Sequence, residues 1–282
     1  MRANASLLLL VGVVLLLPRS SSSQAPVRVE KDIEYLAPGR TEKCDLYLPA
    51  EQAGKRFPAV VIIHGGGFTG GDKGAAREQN IGNTLALNGY VGMSINYLLA
   101  APGKPSWPQN LHDCKTAVRW LRKNADRLHV DPAHIGVIGG SAGGHLAAMV
   151  GLTGPDAKLD PKEPYGDQSC RVQAVVDLYG PAELNRFQTM FPPSVSANPE
   201  ELRRASPLSQ GSKDDPPVLI MHGTADKTVP LEQSQLLDAA LEKAGVKHEL
   251  VIVEGAPHTF HLQPKQRDLR PVVLGFFERY LK

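Results

Sequence analysis

The sequence predicts an α/β domain with a mostly parallel sheet that helices cover on both faces. From residue 58 to the end of the chain, short apolar segments alternate with stretches of helical periodicity. Most of the apolar segments are continuous runs, as expected for strands that are buried on both faces. Such an alternation is typical of parallel sheets whose strands are joined by crossover helices.

Six apolar segments are expected to form the main strands, and five stretches between them are expected to be helical. The strands are Val60–Ile63, Val91–Tyr97, Ile135–Ile138, Val172–Leu178, Val218–His222 and Glu249–Val253. The helices lie at about residues 76–88, 109–127, 144–152, 231–244 and 267–281. Ahead of them, Val27–Tyr47 is expected to form a hairpin with its turn at Pro38–Gly39.

Residues 180–215 interrupt this alternation, because they are rich in proline, serine and charged residues. A segment of this kind predicts a short cap insertion over a site, and an ordinary surface loop is the alternative.

An apolar run near the N-terminus, Leu7–Leu17, is only 11 residues long and is followed by a proline and a serine run. A membrane-spanning helix needs about 20 residues. The sequence therefore predicts a signal peptide over residues 1–23, a folded domain over residues 24–282, and a secreted or periplasmic protein without stable membrane insertion after cleavage. An uncleaved N-terminal anchor is the alternative.

The charge balance argues against a nucleic-acid partner. Removal of residues 1–23 takes away two arginines and no acid, so Lys+Arg falls from 31 to 29 against 29 Asp+Glu. A neutral chain without a basic patch lacks the usual electrostatic footprint for nucleic acid. No group of histidine, cysteine and acidic residues has the spacing of metal ligands, so we predict neither a metal nor another cofactor.

Three cysteines remain in an exported chain: Cys44, Cys114 and Cys170. An oxidising compartment permits one disulfide, and the pair Cys114–Cys170 is favoured because both residues are expected to point inward. Three buried free thiols are the alternative.

Ser141 lies in a glycine-rich turn, Gly139–Gly143, between an apolar strand and a helix of small residues. A tight turn of this kind pushes a serine hydroxyl clear of the backbone at a helix N-terminus, which makes it a usable nucleophile. The run His64–Phe68 contains three consecutive glycines directly after a strand. Such a run lets backbone N–H groups approach a developing oxyanion.

A base and an acid follow in the chain order Ser–Asp–His. His258 lies in a loop after the last strand and is the favoured base, with His261 as the second candidate. Asp226 lies after the strand Val218–His222 and would orient the imidazole. A helix N-cap before Leu231 is the alternative for Asp226.

With these motifs the chain resembles α/β-hydrolases of the hormone-sensitive-lipase-like carboxylesterase group, and in particular bacterial exported esterases that include acetyl-xylan and feruloyl esterases. The resemblance spans roughly residues 30–281 and adds the segment Asp113–Leu121 to the motifs above. It implies that the N–H groups of Gly66, Gly67 and Ala142 form the oxyanion hole. Larger lipase-like members carry a long N-terminal cap, whereas the leading segment here is short.

These observations together predict an exported serine esterase that cleaves short-chain esters through an acyl-enzyme, with acetyl groups on carbohydrate as the expected substrate. Phe68 and Trp107 are expected to form walls of the opening that receives the alcohol part of the substrate. Loop packing is an equal alternative for Trp107. A feruloyl esterase and a serine peptidase or amidase are the alternatives within the enzyme class. A non-catalytic binding protein on a hydrolase fold is the alternative from another class.

Overall fold

The computed structural model describes residues 27–50, 53–184 and 198–282. Its strands are β1 (Arg28–Glu34), β2 (Lys43–Leu48), β3 (Phe57–Ile63), β4 (Val91–Ile95), β5 (Val130–Gly140), β6 (Ala174–Leu178), β7 (Val218–Gly223) and β8 (His248–Val253). They form one sheet in the order β1-β2-β4-β3-β5-β6-β7-β8. The β1–β2 and β2–β4 pairs are antiparallel, and every other neighbouring pair is parallel. The predicted hairpin and the mostly parallel sheet are thus confirmed.

Helices connect the parallel strands as the alternation predicts. The described residues contain α1 (Ala76–Leu87), α2 (Gln109–Lys123), α3 (Ala125–Leu128), α4 (Ala142–Leu152), α5 (Pro199–Arg204), α6 (Glu232–Ala244) and α7 (Arg270–Leu281), with short 3₁₀ turns at Pro155–Ala157 and Pro207–Ser209. The helix expected at 109–127 is divided at Asn124, which leaves helical geometry (φ −102°, ψ 15°) while its side-chain amide donates to the Trp120 carbonyl.

Both faces of the sheet are packed, which explains the continuous apolar strand sequences. Along β3, Val61 and Ile63 belong to one buried cluster, and Val60 and Ile62 belong to another. Successive side chains of a strand point to opposite faces, so a strand that is buried on both faces is apolar at nearly every position.

Two expectations about this part of the chain are corrected. Strand β5 begins five residues earlier than expected, at Val130, because Asp131, Pro132 and His134 interrupt the apolar pattern ahead of Ile135. The favoured disulfide Cys114–Cys170 is absent, and Cys44, Cys114 and Cys170 are all buried free thiols. Burial raises the pKa of the Cys170 thiol to about 11, as expected for a cysteine that packs as a small apolar residue.

The predicted signal peptide lies outside the described residues. Residues 185–197 of the predicted insertion also lie outside them. Helix α5 belongs to the described remainder of that insertion, and the Asn198 side chain caps it by accepting from the Glu200 and Glu201 N–H groups. Within the described ranges, no helix combines the length and the apolar character that a membrane span requires.

Candidate active site

Ser141 occupies the sharp turn between the end of β5 and the start of α4. Its backbone is left-handed in φ (58°) with ψ of −123°, a conformation that non-glycine residues rarely adopt. The Ser141 N–H donates to the Leu178 carbonyl at the end of β6 (2.9 Å), which ties the turn to the neighbouring strand. The fold therefore holds this serine in a strained geometry of the kind that concentrates at functional sites.

The glycines on either side of Ser141 are required by close backbone contacts. A Cβ atom on Gly139 would lie 2.1 Å from the Gly143 carbonyl oxygen, and one on Gly143 would lie 2.1 Å from the Ile63 carbonyl oxygen. The turn thus closes on itself and on the end of β3. This contact brings the serine turn beside the glycine run that follows β3.

The structure brings the three predicted reactive side chains into one hydrogen-bonded chain. His258 Nε2 lies 2.9 Å from Ser141 Oγ, and His258 Nδ1 lies 2.6 Å from Asp226 Oδ2. A carboxylate only accepts, so Nδ1 carries the proton and donates to Asp226, which leaves Nε2 free to accept from the serine hydroxyl. This is the tautomer that a general base beside a serine needs.

Asp226 is held by the loop between β7 and α6 and does not cap that helix. Its Oδ1 accepts from the Thr228 and Val229 N–H groups at 2.8 and 2.9 Å, and its side chain is 1% exposed. His222, at the end of β7, donates from Nε2 to the Val229 carbonyl (2.8 Å) and lies 3.3 Å from Asp226 Oδ2. The Thr228 and Val229 N–H groups on Oδ1 and the His222 ring beside Oδ2 hold the Asp226 carboxylate in a fixed orientation.

The other histidines considered from the sequence lie in different surroundings. His261 is exposed, and its Nδ1 accepts from the Gln263 N–H, so His258 is the histidine that contacts the serine. His145 is fully buried beside the Ala205 carbonyl, and burial lowers its pKa to about 4. His64 Nδ1 lies 2.6 Å from the Gly65 carbonyl, which agrees with a role in holding the glycine run.

The glycine run places its backbone at the same opening. Gly66 and Gly67 both have positive φ (116° and 63°), and a Cβ on Gly66 would lie 2.2 Å from the Gly70 carbonyl oxygen. Ala142 is the first residue of α4, where N–H groups have no acceptor within the helix. Gly66 and Gly67 line the opening beside Ser141, and Ala142 follows Ser141 at the start of α4, so their backbone N–H groups are the candidates for stabilisation of an oxyanion.

A cleft of about 440 Å³ opens over these groups. Ser141, His258, Gly66 and Gly67 line it, and the remaining lining residues are His64, Gly65, Gly71, Asp72, Ala75, Arg77, Glu78, Thr228 and Thr259. Among the residues that the structure describes, no group of three or more histidine, cysteine or acidic side chains could hold a metal ion.

Phe68 and Trp107 do not border this cleft, so their predicted role as its walls is corrected. Phe68 is 1% exposed and packs edge-on against the buried His145 ring, 5.2 Å between centroids. Trp107 is 6% exposed and belongs to the main apolar core. Both rings face inward because their apolar area is better buried in the core than exposed at a loop.

Sequence reasoning missed Arg77, Glu78 and Tyr179. The Arg77 guanidinium pairs with the Glu78 carboxylate (2.5 Å) and donates from Nη1 to the Tyr179 hydroxyl (3.0 Å). Tyr179 is 102 residues away in the chain and belongs to no motif, so only the folded chain shows this contact.

Asp177, one residue before the end of β6, is buried and accepts from the Gly180 N–H (2.8 Å). Burial raises its pKa from 3.8 to about 7. Between these values the folded chain keeps a proton that the unfolded chain has lost, so the unfolding free energy falls as pH rises through this window.

Replacement of Asp177 by asparagine is therefore expected to stabilise the protein at neutral pH. Asp177→Asn keeps the oxygen that accepts from Gly180 and removes the titration. We expect the unfolding free energy of the variant to rise relative to that of the wild type between about pH 4 and pH 8, by an amount on the order of a few kcal/mol. Denaturant unfolding across this range measures it, and parallel pH curves for the two proteins would contradict the burial argument.

Comparison with known proteins finds esterases among the relatives of this chain and carbohydrate esterases among its structural neighbours. The family model BD-FAE matches residues 44–241. Esterase LipC of Mycobacterium tuberculosis is 32% identical over 233 residues, which cover 77% of this chain and 57% of LipC. The chain thus spans little more than half the length of this curated relative.

Two solved structures superpose over most of the chain. A truncated carbohydrate esterase from gut microbiota has a TM-score of 0.78 and 27% identity, covering 92% of this chain and 98% of that one. An acetyl ester-xyloside bifunctional hydrolase from Caldicellulosiruptor lactoaceticus has a TM-score of 0.72 and 28% identity, covering 88% and 92%. The eight-stranded sheet and its helices therefore form an α/β-hydrolase fold.

Proposed function

The chain belongs to the BD-FAE family, and from this premise we propose that it is a serine-dependent hydrolase of carboxylic esters that forms an acyl-enzyme. The observation that carries the proposal is the continuous hydrogen-bonded chain from Ser141 through His258 to Asp226 at the floor of an open cleft. The glycine run beside it supplies the second requirement, which is a set of backbone donors for negative charge.

In the first half of the reaction, Ser141 Oγ attacks the ester carbonyl while His258 Nε2 takes the hydroxyl proton. The carbonyl oxygen becomes an oxyanion, which the N–H groups of Gly66, Gly67 and Ala142 stabilise. Asp226 stabilises the imidazolium through Nδ1 and does not take the proton. His258 then gives its proton to the leaving alcohol, the bond from the carbonyl carbon to that oxygen breaks, and the acyl group stays on Ser141.

In the second half, a water molecule takes the place of the alcohol. His258 Nε2 removes a proton from this water as its oxygen attacks the acyl carbon, and the same backbone donors stabilise the second oxyanion. The bond to Ser141 Oγ breaks, and His258 returns the proton to the serine. The free acid leaves, and the resting hydrogen-bonded chain is restored.

We propose short acyl groups, with acetate on a carbohydrate as the substrate. Two structural neighbours are a carbohydrate esterase and an acetyl ester-xyloside bifunctional hydrolase, which supports this choice. The cleft of about 440 Å³ is open to solvent along Asp72, Ala75 and Thr259, which are exposed, so a bulky alcohol can remain outside it. Export through a signal peptide over residues 1–23 is part of the proposal and is supported by the apolar run Leu7–Leu17 alone.

A chain-length series of p-nitrophenyl esters tests the acyl part of the proposal. We expect kcat/KM to peak at acetate or propionate and to fall at longer chains, because each added methylene must find room in a small slot. A peak well beyond butyrate would contradict the short acyl slot.

Acetylated xylan and methyl ferulate, assayed beside the series, test the alcohol and acid parts. We expect release of acetate from the xylan and slow cleavage of methyl ferulate. The reverse preference would establish the feruloyl alternative, and faster cleavage of acetyl anilides than of acetyl esters would favour an amidase.

A further inference from the structure

Tyr179 lies directly behind the proposed base. Its ring meets the His258 ring in an edge-to-face contact with 4.9 Å between centroids, and it meets the Phe260 ring in the same way at 4.6 Å. Tyr179 is fully buried, so both contacts occur without competing water. Edge-to-face aromatic contacts of this kind restrain ring position beyond the effect of burial alone.

The Tyr179 hydroxyl also holds the loop that carries His258. It donates to the Phe260 carbonyl (2.6 Å) and accepts from Arg77 Nη1 (3.0 Å). A hydroxyl has one proton, and a guanidinium can only donate. The Tyr179 hydroxyl therefore accepts from Arg77 and directs its own proton toward the Phe260 carbonyl. Burial raises the pKa of Tyr179 to about 12, so the hydroxyl keeps this proton throughout the working pH range.

The backbone of Tyr179 is itself constrained. Its φ of 47° is left-handed, which is costly for a residue with a bulky side chain and persists only where the surroundings impose it. Leu178, the preceding residue, accepts the Ser141 N–H, and the Tyr179 N–H donates to the Met221 carbonyl of β7. Two consecutive residues at the end of β6 therefore contact both the serine turn and the histidine loop.

From these contacts we infer that Tyr179 is a positioning residue for the ester hydrolysis, which sets the distance and angle between His258 Nε2 and Ser141 Oγ. The inference rests on the proposed role of His258 as the base. Tyr179 does not border the cleft in the described residues, so it acts through His258 and not on the substrate. A misplacement of a catalytic group by about 1 Å can cost about 100-fold in rate, so loss of this support should appear in kcat.

Tyr179→Phe removes one oxygen atom and keeps the ring contacts with His258 and Phe260. We expect kcat for p-nitrophenyl acetate to fall by about 10- to 100-fold with KM within about 2-fold of wild type. Tyr35→Phe is the matched control, because Tyr35 is also fully buried and donates to a backbone carbonyl, that of Asn96 (2.5 Å). We expect the control to lose a similar few degrees in Tm and to keep kcat within about 2-fold.

A second measurement separates positioning from a general structural role. In the His258→Ala background, the residual rate should change by less than about 2-fold on adding Tyr179→Phe, because the residue through which Tyr179 acts is gone. A fully multiplicative loss in that background would overturn the inference, and so would unchanged kcat in Tyr179→Phe or an equal kcat loss in Tyr35→Phe.

Rescue provides a readout even where Tyr179→Phe folds poorly. Tyr179→4-aminophenylalanine restores a donor aimed at the Phe260 carbonyl, and we expect it to recover more than half of the lost kcat on a logarithmic scale. A soluble variant that regains Tm without regaining kcat would overturn the positioning role. If His258→Ala alone leaves kcat near wild type, the proposed base is wrong. If His258→Ala is inactive while Tyr179→Phe is fully active, only the positioning inference fails.

Discussion

Ser141→Ala is expected to lower kcat/KM for p-nitrophenyl acetate by about 10⁴- to 10⁶-fold while the folded structure is retained. The members of a serine triad act as one unit, so loss of the nucleophile removes nearly all of their joint contribution. What remains is the rate supplied by binding and by the backbone donors of the glycine run.

The structure explains why this substitution should leave the fold intact. Ser141 makes its tertiary backbone contact through N–H to the Leu178 carbonyl, which alanine retains. Its hydroxyl contacts only His258 among the described hydrogen bonds. Alanine at a φ of 58° is no more strained than serine, because both carry a Cβ. We therefore expect a Tm within a few degrees of wild type.

Covalent labelling separates this prediction from the binding-protein alternative. A fluorophosphonate probe should attach to the wild-type protein with a stoichiometry of about one and should leave Ser141→Ala unlabelled. Wild-type protein that stays unlabelled and inactive on every ester of the series would favour a binding protein on a hydrolase fold. Activity of Ser141→Ala within about tenfold of wild type would remove Ser141 from the mechanism.

The parts of this site that the sequence predicts are those whose chemistry needs a particular residue in a short segment. The serine turn needs glycines because backbone atoms of Gly143 and Ile63 lie where Cβ atoms on residues 139 and 143 would be. The five-residue segment Gly139–Gly143 shows this requirement in the sequence. A buried parallel strand is apolar at most positions, so β3, β6 and β7 are recognisable as apolar runs, with Asp177 in β6 and His222 in β7 as polar exceptions.

Other features depend on contacts between distant segments, and local sequence carries no sign of them. Phe68 and Trp107 have aromatic side chains in loops, and only the folded chain shows that both turn into the core. The Arg77–Tyr179 contact likewise joins α1 to the end of β6. Cys114 and Cys170 were each expected to be inward, which is correct, but burial alone does not bring two sulfur atoms together.

His258→Ala is expected to be as damaging as Ser141→Ala, and Asp226→Asn is expected to cost about tenfold to a hundredfold less. His258 Nε2 lies 2.9 Å from Ser141 Oγ, and its removal takes away the group that accepts the serine proton. Asn at position 226 can keep the Oδ1 position that accepts from the Thr228 and Val229 N–H groups, so the loop should stay in place.

The asparagine amide nitrogen would then occupy the Oδ2 position, 2.6 Å from His258 Nδ1. An NH₂ group there cannot accept from Nδ1–H, which favours the tautomer with its proton on Nε2, and that nitrogen then cannot accept from Ser141. The same amide would face His222 Nε2–H at 3.3 Å, so the loss should include some local destabilisation.

His261→Ala is the matched control, because His261 lies in the same loop three residues further on and is exposed. We expect it to keep kcat/KM within about twofold of wild type, as is usual for a surface substitution away from the reacting groups. Steady-state kinetics of the three variants on p-nitrophenyl acetate decides the assignment. A collapse in His261→Ala with a mild effect in His258→Ala would mean that the loop rearranges to present His261, and the base would have to be reassigned. Equal losses in Asp226→Asn and His258→Ala would instead indicate that Asp226 contributes more than orientation and charge stabilisation, since the acid of a triad that only orients the base leaves a higher residual rate than loss of the base itself.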